Sequence, residues 1–345
     1  MKTKKVAIVG ASGYSGEELV RLLLNHPHAE LVAVTSRQNA GQTLGQVFPK
    51  FASHPKSQNL RFVEPDAEVL AKQAEVVFLA LPHGVAAEYA VPLLEAGAVV
   101  IDLSADFRLN SAELYQEFYA HPHPAPKLLE KSVYGLPEIY REDIKKSRLI
   151  ASPGCYPTSI LLPTIPLLQS RLIKPTGIIA DSMSGVSGAG RKAEIDYLFV
   201  ECNESVRPYG VPKHRHLSEI EEQLSLAAGT QVIMQFTPHL IPINRGILTT
   251  LYLEPAQALT EETIAATYKK FYGDEPFVRL LEGKSLPDTK NVEGTNVIEI
   301  AWRLDSRTGR LIVMSAEDNL TKGASGQAVQ SLNILCGWPE TAGLI

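Results

Sequence analysis

Residues 6–24 read VAIVGASGYSGEELVRLLL, and this stretch decides the fold of the first part of the chain. The compact apolar run Val6–Val9 is typical of a buried strand. Leucines recur on one face of the segment that follows the glycines, which predicts a helix over residues 17–25. A strand joined to a helix by a glycine loop is the first unit expected of a parallel sheet covered by helices.

The alternation of strands and helices continues as far as residue 151. A helical pattern lies at 86–96, and apolar, largely β-branched runs predict further strands at 31–34, 76–81, 99–103 and 149–151. Continuous apolar runs of this kind occur in parallel sheets that are buried on both faces. The fold class predicted for residues 1–151 is therefore α/β, with a Rossmann-type, doubly wound parallel sheet.

After residue 151 the strand-like runs are more widely spaced. Runs that predict strands lie at 177–183, 232–236, 247–253, 297–304 and 310–315, and helical patterns lie near 157–170, 216–227 and 260–272. Several runs alternate apolar and polar residues, as expected when only one face of a sheet is covered. Residues 152–317 are therefore predicted to form an α+β domain with a mostly antiparallel or mixed sheet. A last helical pattern, at 324–336, fits either domain.

Composition excludes several classes of protein. The chain has 345 residues, 33 Lys and Arg against 38 Asp and Glu, a formal net charge of -5, and 45% hydrophobic residues. A mildly acidic chain without a long basic run is not expected to bind nucleic acid. No stretch approaches the roughly 18 apolar residues that a membrane span needs. Three widely spaced cysteines, at 155, 202 and 336, indicate no disulfide framework and favour a reducing cytoplasm.

The glycine loop predicts a cofactor. Gly10, Gly13 and Gly16 follow the spacing G-x-x-G-x-x-G, which lets backbone N–H groups approach a pyrophosphate at a helix N-terminus. The second strand is followed by Ser36 and Arg37, with no acid at that point to hold ribose hydroxyls. A hydroxyl and a cation suit a 2′-phosphate, so the pattern favours NADP. The alternatives are a glycine turn needed only for packing and a solvated Arg37.

The segment SPGCYPT, residues 152–158, predicts a nucleophile. An apolar strand runs into Pro-Gly and then Cys155, and Pro157 suits the first turn of a helix. A cysteine at a helix N-terminus is stabilised as a thiolate by unpaired N–H groups and the helix dipole. Beside a nucleotide-binding domain, such a thiolate suits attack on an acyl carbon followed by hydride transfer to a thioester. The alternative is a buried cysteine that acts only as a small hydrophobic residue.

A histidine is expected to move the protons of such a reaction near neutral pH. His214 and His216 lie at a predicted helix start, and Glu219 is close enough in sequence to orient an imidazole there. The H-x-H pair could also bind a metal, but no Cys or acidic ligand at a suitable spacing supports a zinc site. Four other histidines flank prolines and are expected at the surface or in turns, namely His26, His28, His121 and His123.

Two loops have the composition of anion-binding sites. SGVSGAGRK, residues 184–192, has backbone donors and two cations that could hold a phosphate. HLIPINRG, residues 239–246, contains Arg245, which could bind a carboxylate with two parallel hydrogen bonds. An ordinary solvated loop is the alternative for each segment.

Together these segments resemble the N-acetyl-gamma-glutamyl-phosphate reductases, relatives of aspartate-semialdehyde dehydrogenase. The matching segments are GASGYSG (10–16), DLSADFRL (102–109), VYGLPE (133–138), SPGCYPT (152–158), SGVSGAGR (184–191), KHRHLSEI (213–220), HLIPINRG (239–246) and DNLTKGASGQAVQ (318–330). They span nearly the whole chain, and PGCYPT followed by HRH and PINRG is a specific combination.

The resemblance implies that NADPH reduces an N-acetylated glutamyl γ-phosphate to the semialdehyde with release of phosphate. It makes Cys155 the nucleophile and His214 its acid/base partner, with Glu219 orienting His214 and with His216 as the second candidate. It implies that substrate contacts come from Arg108, Ser152, Lys213, His216 and Arg245. It adds cofactor contacts from Ser12, Tyr14, Ser15, Ser187, Gly188 and Asn319 to those of the glycines, Ser36 and Arg37.

The resemblance also implies an architecture. Residues 318–345 are expected to return to the NADP-binding domain, which places Asn319 near the nicotinamide, and residues 152–317 are expected to carry catalysis and dimerisation. A homodimer or homotetramer would form through the sheet of that second domain. Two alternative functions remain: a related reductase that acts on aminoadipyl or aspartyl phosphate, and a non-catalytic NADP-binding sensor.

Overall fold

The computed structural model describes residues 2–191 and 193–345. They form two compact units, one made of Met1–Pro153 with Ala324–Ile345 and the other of Gly154–Gly323. The boundaries between the units lie after residues 153 and 323, whereas the predicted boundaries lie after residues 151 and 317.

A seven-stranded parallel sheet lies at the centre of the first unit, which confirms the predicted Rossmann-type sheet. Its strands are β1 Lys4–Val9, β2 Ala29–Thr35, β3 Phe62–Val63, β4 Val76–Leu79, β5 Val99–Asp102, β6 Val133–Tyr134 and β7 Leu149–Ala151. They pair in the order β3-β2-β1-β4-β5-β7-β6, and each neighbouring pair is parallel. The residues of β4 and β7 are all buried, as the continuous apolar runs predicted.

The helices of the first unit connect these strands. They are α1 Tyr14–Leu24, α2 Leu44–Val47, α3 Ala67–Gln73, α4 Ala86–Glu95, α5 Ala112–Tyr119 and α6 Pro137–Ile144. Helix α1 begins three residues before the predicted start at residue 17, because the glycine loop itself forms the first turn. At Gly16 a Cβ atom would lie only 2.4 Å from the carbonyl oxygen of Gly10, so only glycine fits this close turn.

A mixed sheet of seven strands lies in the second unit and confirms the α+β prediction. Its strands are β8 Ile179–Ser184, β9 Arg207–Pro208, β10 Gln235–Leu240, β11 Ile247–Leu253, β12 Val278–Leu281, β13 Ile298–Asp305 and β14 Arg310–Glu317. They pair in the order β12-β13-β14-β11-β8-β10-β9. The pairs β8–β10 and β12–β13 are parallel and the others are antiparallel. The helices are α7 Cys155–Gln169, α8 Phe199–Cys202, α9 His216–Ala228, α10 Glu261–Tyr272 and α11 Thr289–Val292.

One strand of the second unit differs from its prediction. The sequence pattern placed a strand at 232–236, whereas β10 runs from Gln235 to Leu240 and contains Pro238. A proline lacks a backbone N–H donor and is tolerated where strand pairing is sparse. The neighbouring strand β9 has only two residues and pairs with β10 only at His239 and Leu240, so Pro238 does not interrupt a continuous ladder on that side.

The last helix, α12 Gly326–Cys336, belongs to the first unit and packs against α1 and α6. His26, expected at the surface or in a turn, is fully buried beneath this end of the chain. Its Nδ1 accepts hydrogen bonds from the backbone N–H groups of His28 and Ala29, so its Nε2 donates to Oδ1 of Asn333 at 2.8 Å. Burial lowers the pKa of His26, which keeps the ring neutral. His26 therefore lies in the turn between α1 and β2, as one of the two alternatives predicted, but not at the surface, because its partner is distant in sequence.

No helix among the described residues has both the length and the apolar character that crossing a membrane requires.

Candidate active site

Cys155 is the first residue of helix α7, as the Pro-Gly-Cys pattern predicted. Gly154 is the N-cap, in an extended conformation with φ -69° and ψ 161°, and no side chain that the structure describes caps the helix. The helix dipole and the N–H groups of the first turn favour negative charge there. The Cys155 thiol is only partly buried, so it combines a favourable position for a thiolate with access to a reactant.

Glu219 supports the turn that carries Cys155. It lies in the first turn of α9 and is 1% exposed, and its Oε1 accepts a hydrogen bond of 2.9 Å from the backbone N–H of Gly154. The sequence argument assigned Glu219 to the orientation of His214. The hydrogen bond to Gly154 gives Glu219 a position from which it holds the backbone immediately before the nucleophile.

Aromatic rings surround His214 at the start of α9. Its ring centroid lies 5.0 Å from that of His216, 5.6 Å from Tyr156 and 5.6 Å from Phe236. Tyr156 follows Cys155 directly, so both predicted histidines lie near the start of α7. Lys213, the third predicted residue of this segment, is exposed at the surface of the second unit.

The protonation state of His214 follows from its contacts. Its Nδ1 accepts a hydrogen bond of 3.1 Å from the backbone N–H of His216, so the neutral ring carries its proton on Nε2. Burial, and then the charge of Arg215, lowers the pKa of His214 to about 4. His214 is therefore a neutral hydrogen-bond donor at neutral pH. This pKa is lower than the value near neutrality that the acid/base prediction assumed.

Tyr156 and Tyr209 belong to this site although the sequence argument assigned them no role. The Tyr209 hydroxyl donates to the Tyr156 hydroxyl at 2.8 Å, and the Tyr209 ring lies 5.5 Å from the His214 ring. Burial raises the pKa of both phenols, and the charge of Cys155 raises both further. Both tyrosines are therefore neutral neighbours of the nucleophile. Gly210, which follows Tyr209, has φ +63°, and a Cβ there would lie 2.9 Å from His214 Cδ2, so glycine is required for this close approach.

Gly323 packs directly against Cys155. A Cβ atom at this position would lie 2.7 Å from the Cβ of Cys155 and 2.9 Å from Oε1 of Glu317. Both distances are shorter than van der Waals contact, so only glycine fits without displacing one of the two. Glu317 is fully buried at the end of β14. The glycine therefore fixes how closely the segment after β14 approaches Cys155.

Three predicted cofactor residues come together in the second unit. Asn319 Nδ2 donates to Ser187 Oγ at 2.9 Å, and Asn319 Oδ1 accepts from the Gly246 N–H at 2.7 Å. A Cβ on Gly188 would lie 3.6 Å from the same amide nitrogen. The loop after β8 and the segment after β14 are therefore joined by the Asn319 side chain.

Arg245 lies beside this cluster and is held by Asp318. Its Nε is 3.0 Å from Oδ2 of the fully buried Asp318, and its Nη2 donates to Thr321 Oγ1 at 3.0 Å. Asp318 also accepts hydrogen bonds from the backbone N–H groups of Gly294 and Leu320. The guanidinium is therefore fixed in direction by a rigid carboxylate.

The predicted dinucleotide residues of the first unit form a compact loop. Gly10 has φ +83°, and a Cβ there would lie 2.4 Å from the carbonyl oxygen of Ala80. Gly13 is the N-cap of α1, and no described side chain caps that helix. A narrow backbone loop with uncapped N–H groups fits a pyrophosphate. Tyr14 and Ser15 are the first residues of the helix.

The end of β2 completes this loop. Ser12 Oγ donates to Ser36 Oγ at 3.0 Å, so two of the predicted cofactor residues are in contact. Arg37 Nη2 donates to the hydroxyl of Tyr89 at 3.1 Å. Tyr89 therefore orients Arg37, the cation predicted to select a 2′-phosphate. Tyr89 itself was not predicted from the sequence.

Arg108 and Ser152, both predicted to bind substrate, are also in contact. Arg108 Nε donates to the carbonyl oxygen of Ser152 at 2.8 Å, and its Nη2 donates to that of Leu103 at 2.9 Å. Arg108 is 8% exposed, and Ser152 is fully buried with no described partner for its hydroxyl. The arginine thus anchors the strand end that leads to Cys155. Among the described residues, no group of His, Cys, Asp and Glu has the arrangement of a metal site.

Family models match both parts of the chain. Residues 5–147 match the semialdehyde dehydrogenase NAD-binding domain, and residues 155–319 match the semialdehyde dehydrogenase dimerisation domain. Solved structures share the fold. Aspartate semialdehyde dehydrogenase II from Vibrio cholerae has a TM-score of 0.75 at 18% identity, over 97% of this chain and 99% of that one. The aspartate semialdehyde dehydrogenase with NADP from Candida albicans has a TM-score of 0.74 at 17% identity, over 97% and 99%.

Curated relatives match over the full length at much higher identity. An N-acetyl-gamma-glutamyl-phosphate reductase from Akkermansia muciniphila is 57% identical over 100% of this chain and 99% of its own length. One from Syntrophobacter fumaroxidans is 51% identical over 99% and 97%, and one from Moorella thermoacetica is 50% identical over 99% and 97%. The chain therefore belongs to the N-acetyl-gamma-glutamyl-phosphate reductase family, which is built from the two semialdehyde dehydrogenase domains.

Proposed function

We propose that this chain reduces N-acetyl-L-glutamyl 5-phosphate to N-acetyl-L-glutamate 5-semialdehyde, with NADPH as reductant and release of phosphate. The family membership supports the reaction, which is a step of arginine biosynthesis. The observation that carries the mechanism is the position of Cys155 at the N-terminus of α7, on a turn held by Glu219.

Cys155 performs the covalent step. Its thiolate forms a C–S bond to the acyl carbon while the C–O bond to phosphate breaks. The phosphate leaves with the electron pair and takes one proton from solvent. The thioester that remains is more electrophilic than a carboxylate, so it is a substrate for reduction.

NADPH, when bound, supplies the hydride that reduces the thioester carbon. The oxyanion formed on the Cys155 adduct then needs a donor, and Nε2 of neutral His214 is suited to donate a hydrogen bond to it. Collapse of that oxyanion breaks the C–S bond, returns the electron pair to sulfur and releases the aldehyde. His214 keeps its proton throughout, because its low pKa and its Nδ1 contact disfavour the imidazolium. His216 remains the second candidate for moving a proton.

Cofactor binding is assigned to the glycine loop. Gly10, Gly13 and Gly16 would hold the pyrophosphate, with Ser12, Tyr14 and Ser15 beside it, and Ser36 and Arg37 would hold the 2′-phosphate. Ser187, Gly188 and Asn319 are proposed as further cofactor contacts. Residues 1–151 with the helix of 318–345 are accordingly proposed as the NADP-binding domain, and residues 152–317 as the catalytic domain.

Substrate recognition is assigned to cations. Arg245, Lys213 and Arg108 are candidates for binding the carboxylate or phosphate of the substrate. Ser152 and His216 are further candidates, because each lies close in sequence to a proposed reacting residue. Arg245 is the favoured carboxylate partner, because Asp318 fixes its guanidinium and a fixed planar donor loses little entropy on binding.

Phosphate-dependent reduction of NADP+ by N-acetylglutamate semialdehyde tests the function. The expected result is turnover with this aldehyde that exceeds turnover with aspartate semialdehyde and the aminoadipate analogue. Turnover must fall to background in Cys155→Ala while NADP+ still binds. Faster turnover with either analogue would assign the alternative substrate. Binding of NADP+ without turnover of any of the three aldehydes would favour the alternative of a non-catalytic NADP-binding sensor.

We also propose that the protein is a cytoplasmic homodimer or homotetramer. None of the three cysteines forms a disulfide with a described residue, which suits a reducing compartment. One face of the mixed sheet carries apolar residues that the described residues do not fully cover: Met183 is 43% exposed, its partner Leu248 on β11 is half-buried, and so is Tyr252, four residues further along β11. A second copy would cover this face. Light scattering tests it: Leu248→Glu should reduce the mass to that of a single chain, and an unchanged mass would contradict it.

A further inference from the structure

A cavity of about 870 Å³ opens in the first unit, at the edge of the sheet where strands begin. Val133 and Leu149, which line it, are the first residues of β6 and β7. All neighbouring strands of this sheet are parallel. Gly10 follows the other end of β1, so the glycine loop lies at the opposite edge. The cavity is therefore separate from the proposed dinucleotide site, which occupies the carboxyl edge usual for such folds.

The floor of the cavity is apolar. Leu94, Ala125 and Leu128 are half-buried and pack against the hydrophobic core of the first unit. Other apolar residues that line the cavity are Val91, Pro124, Pro126, Val133 and Leu149. A concave apolar surface of this size is in the range that binds small organic ligands. Burial of an apolar ligand against it contributes favourable free energy in proportion to the area covered.

Cations dominate the rim. Lys127, Lys131, Lys146 and Arg148 line the cavity, against only Glu95 and Asp143. The three lysines are exposed, and none forms an ion pair with any residue that the structure describes. The four cations outnumber the two acidic residues, so the rim carries net positive charge and attracts anions.

Arg148 gives the rim a fixed donor. Its Nη2 donates to the carbonyl oxygens of Leu94 at 2.8 Å and Ala98 at 3.1 Å, which holds the guanidinium in place. Within the described part of the chain, its Nε and Nη1 donate to no partner. A guanidinium held in this way retains donors for a carboxylate or sulfonate oxygen at a small entropic cost.

We propose that this cavity binds a small organic anion with an apolar body, the apolar part on the floor and the acidic group at Arg148 and the rim lysines. Neither the apolar floor nor the cationic rim serves the reaction proposed above. The bound anion would occupy the edge of the sheet opposite the glycine loop, so it would bind together with NADP+ and would not compete with it.

Fluorescence titration with anilinonaphthalene sulfonate, in the presence of saturating NADP+, tests this proposal on the full chain. Saturable binding of one probe per chain is expected. The variant Lys131→Glu/Lys146→Glu should weaken it at least about tenfold, because each change replaces attraction by repulsion at the rim. The uncharged phenylnaphthylamine should also bind at least about tenfold more weakly than the sulfonate.

A matched variant controls for net charge. Lys72→Glu/Lys270→Glu makes the same charge change at two exposed lysines outside the cavity lining, neither of which forms an ion pair with a described residue. Its probe affinity should equal that of the wild type. Displacement of the probe by NADP+, equal loss in both double variants, or absence of saturable binding would overturn the proposal. So would a lower oligomer mass of Lys131→Glu/Lys146→Glu in light scattering, because the cavity would then be an interface between copies.

Discussion

The backbone N–H of Gly154 donates a hydrogen bond of 2.9 Å to Oε1 of Glu219, and Gly154 directly precedes Cys155. The Glu219 side chain is buried, so this bond is shielded from water. It ties the first turn of α9 to the first turn of α7. The nucleophile therefore depends on a residue that does not react.

Glu219→Ala should lower kcat by about 10- to 100-fold, because it leaves the buried N–H of Gly154 without its acceptor, at a cost of about 1–3 kcal/mol, in the turn that carries Cys155. Glu219→Gln keeps an oxygen acceptor and should recover part of the loss. The rate of Cys155 alkylation by iodoacetamide should fall in parallel with kcat.

Glu221 on the same helix offers a matched control for that prediction. Its Oε1 accepts a hydrogen bond of 3.0 Å from the Met234 N–H, away from Cys155. Glu221→Ala should lower stability but leave kcat near that of the wild type. Equal losses of kcat in Glu219→Ala and Glu221→Ala would contradict a positioning role for Glu219.

Gly323→Ala should lower kcat by about 100-fold, because the added Cβ must displace Cys155 or Glu317 and small displacements of a nucleophile are costly. Steady-state kinetics and the alkylation rate of Cys155 measure the effect. Gly309→Ala is the control: it places the same methyl group at φ +70° with no described atom within 4 Å. Equal kcat values for Gly323→Ala and Gly309→Ala would contradict a role of Gly323 in positioning Cys155.

His214 should make stability depend on pH. Its pKa is lowered from 6.5 to about 4 by burial and Arg215, so the unfolded state binds its proton first as pH falls. Stability is therefore fully present above about pH 6.5 and is lost as pH falls towards 4. Between pH 7.5 and 4.5 the wild type should lose about 2.5 kcal/mol more than His214→Gln. Urea titrations at the two pH values measure the difference, and equal losses would contradict a neutral His214.

Arg37→Glu should reverse or abolish the preference for NADPH over NADH, with about a 100-fold loss in the ratio of kcat/KM values, because a carboxylate repels the 2′-phosphate. Tyr89→Phe removes only the hydroxyl that accepts from Arg37 and should cause a smaller loss in the same direction. Arg61→Glu is the charge control, because it makes the same charge change at an exposed residue that directly precedes β3. An unchanged preference in Arg37→Glu would leave Arg37 as a solvated charge.

Sequence patterns predict the local parts of this structure well. The strand and glycine loop at Val6–Gly16, the helix start at Cys155 and the strand Ile247–Leu253 all depend on short-range features, such as apolar runs, glycine turns and a proline at the first helical turn. Each of these features acts within a few residues. The predictions therefore agree with the structure where local chemistry decides it.

Contacts between distant residues are not predictable in the same way. His26 can be buried because Oδ1 of Asn333 accepts a hydrogen bond from its Nε2–H. No sequence pattern around residue 26 indicates a partner more than 300 residues away. The pKa of His214 likewise depends on burial by Tyr156, Tyr209 and Phe236, which lie on three different segments. The reacting residues can be predicted from local sequence patterns, but their protonation and support depend on the fold.

Acid-quenched mass spectrometry tests the central claim, that Cys155 carries the acyl group. The enzyme is mixed with N-acetylglutamyl phosphate without NADPH, quenched in acid and digested. A mass increase of one N-acetylglutamyl group on the peptide that contains Cys155, absent from Cys155→Ala and lost on addition of NADPH, is the expected result. Full turnover by Cys155→Ala, or an acyl group on any residue other than Cys155, would contradict the covalent mechanism.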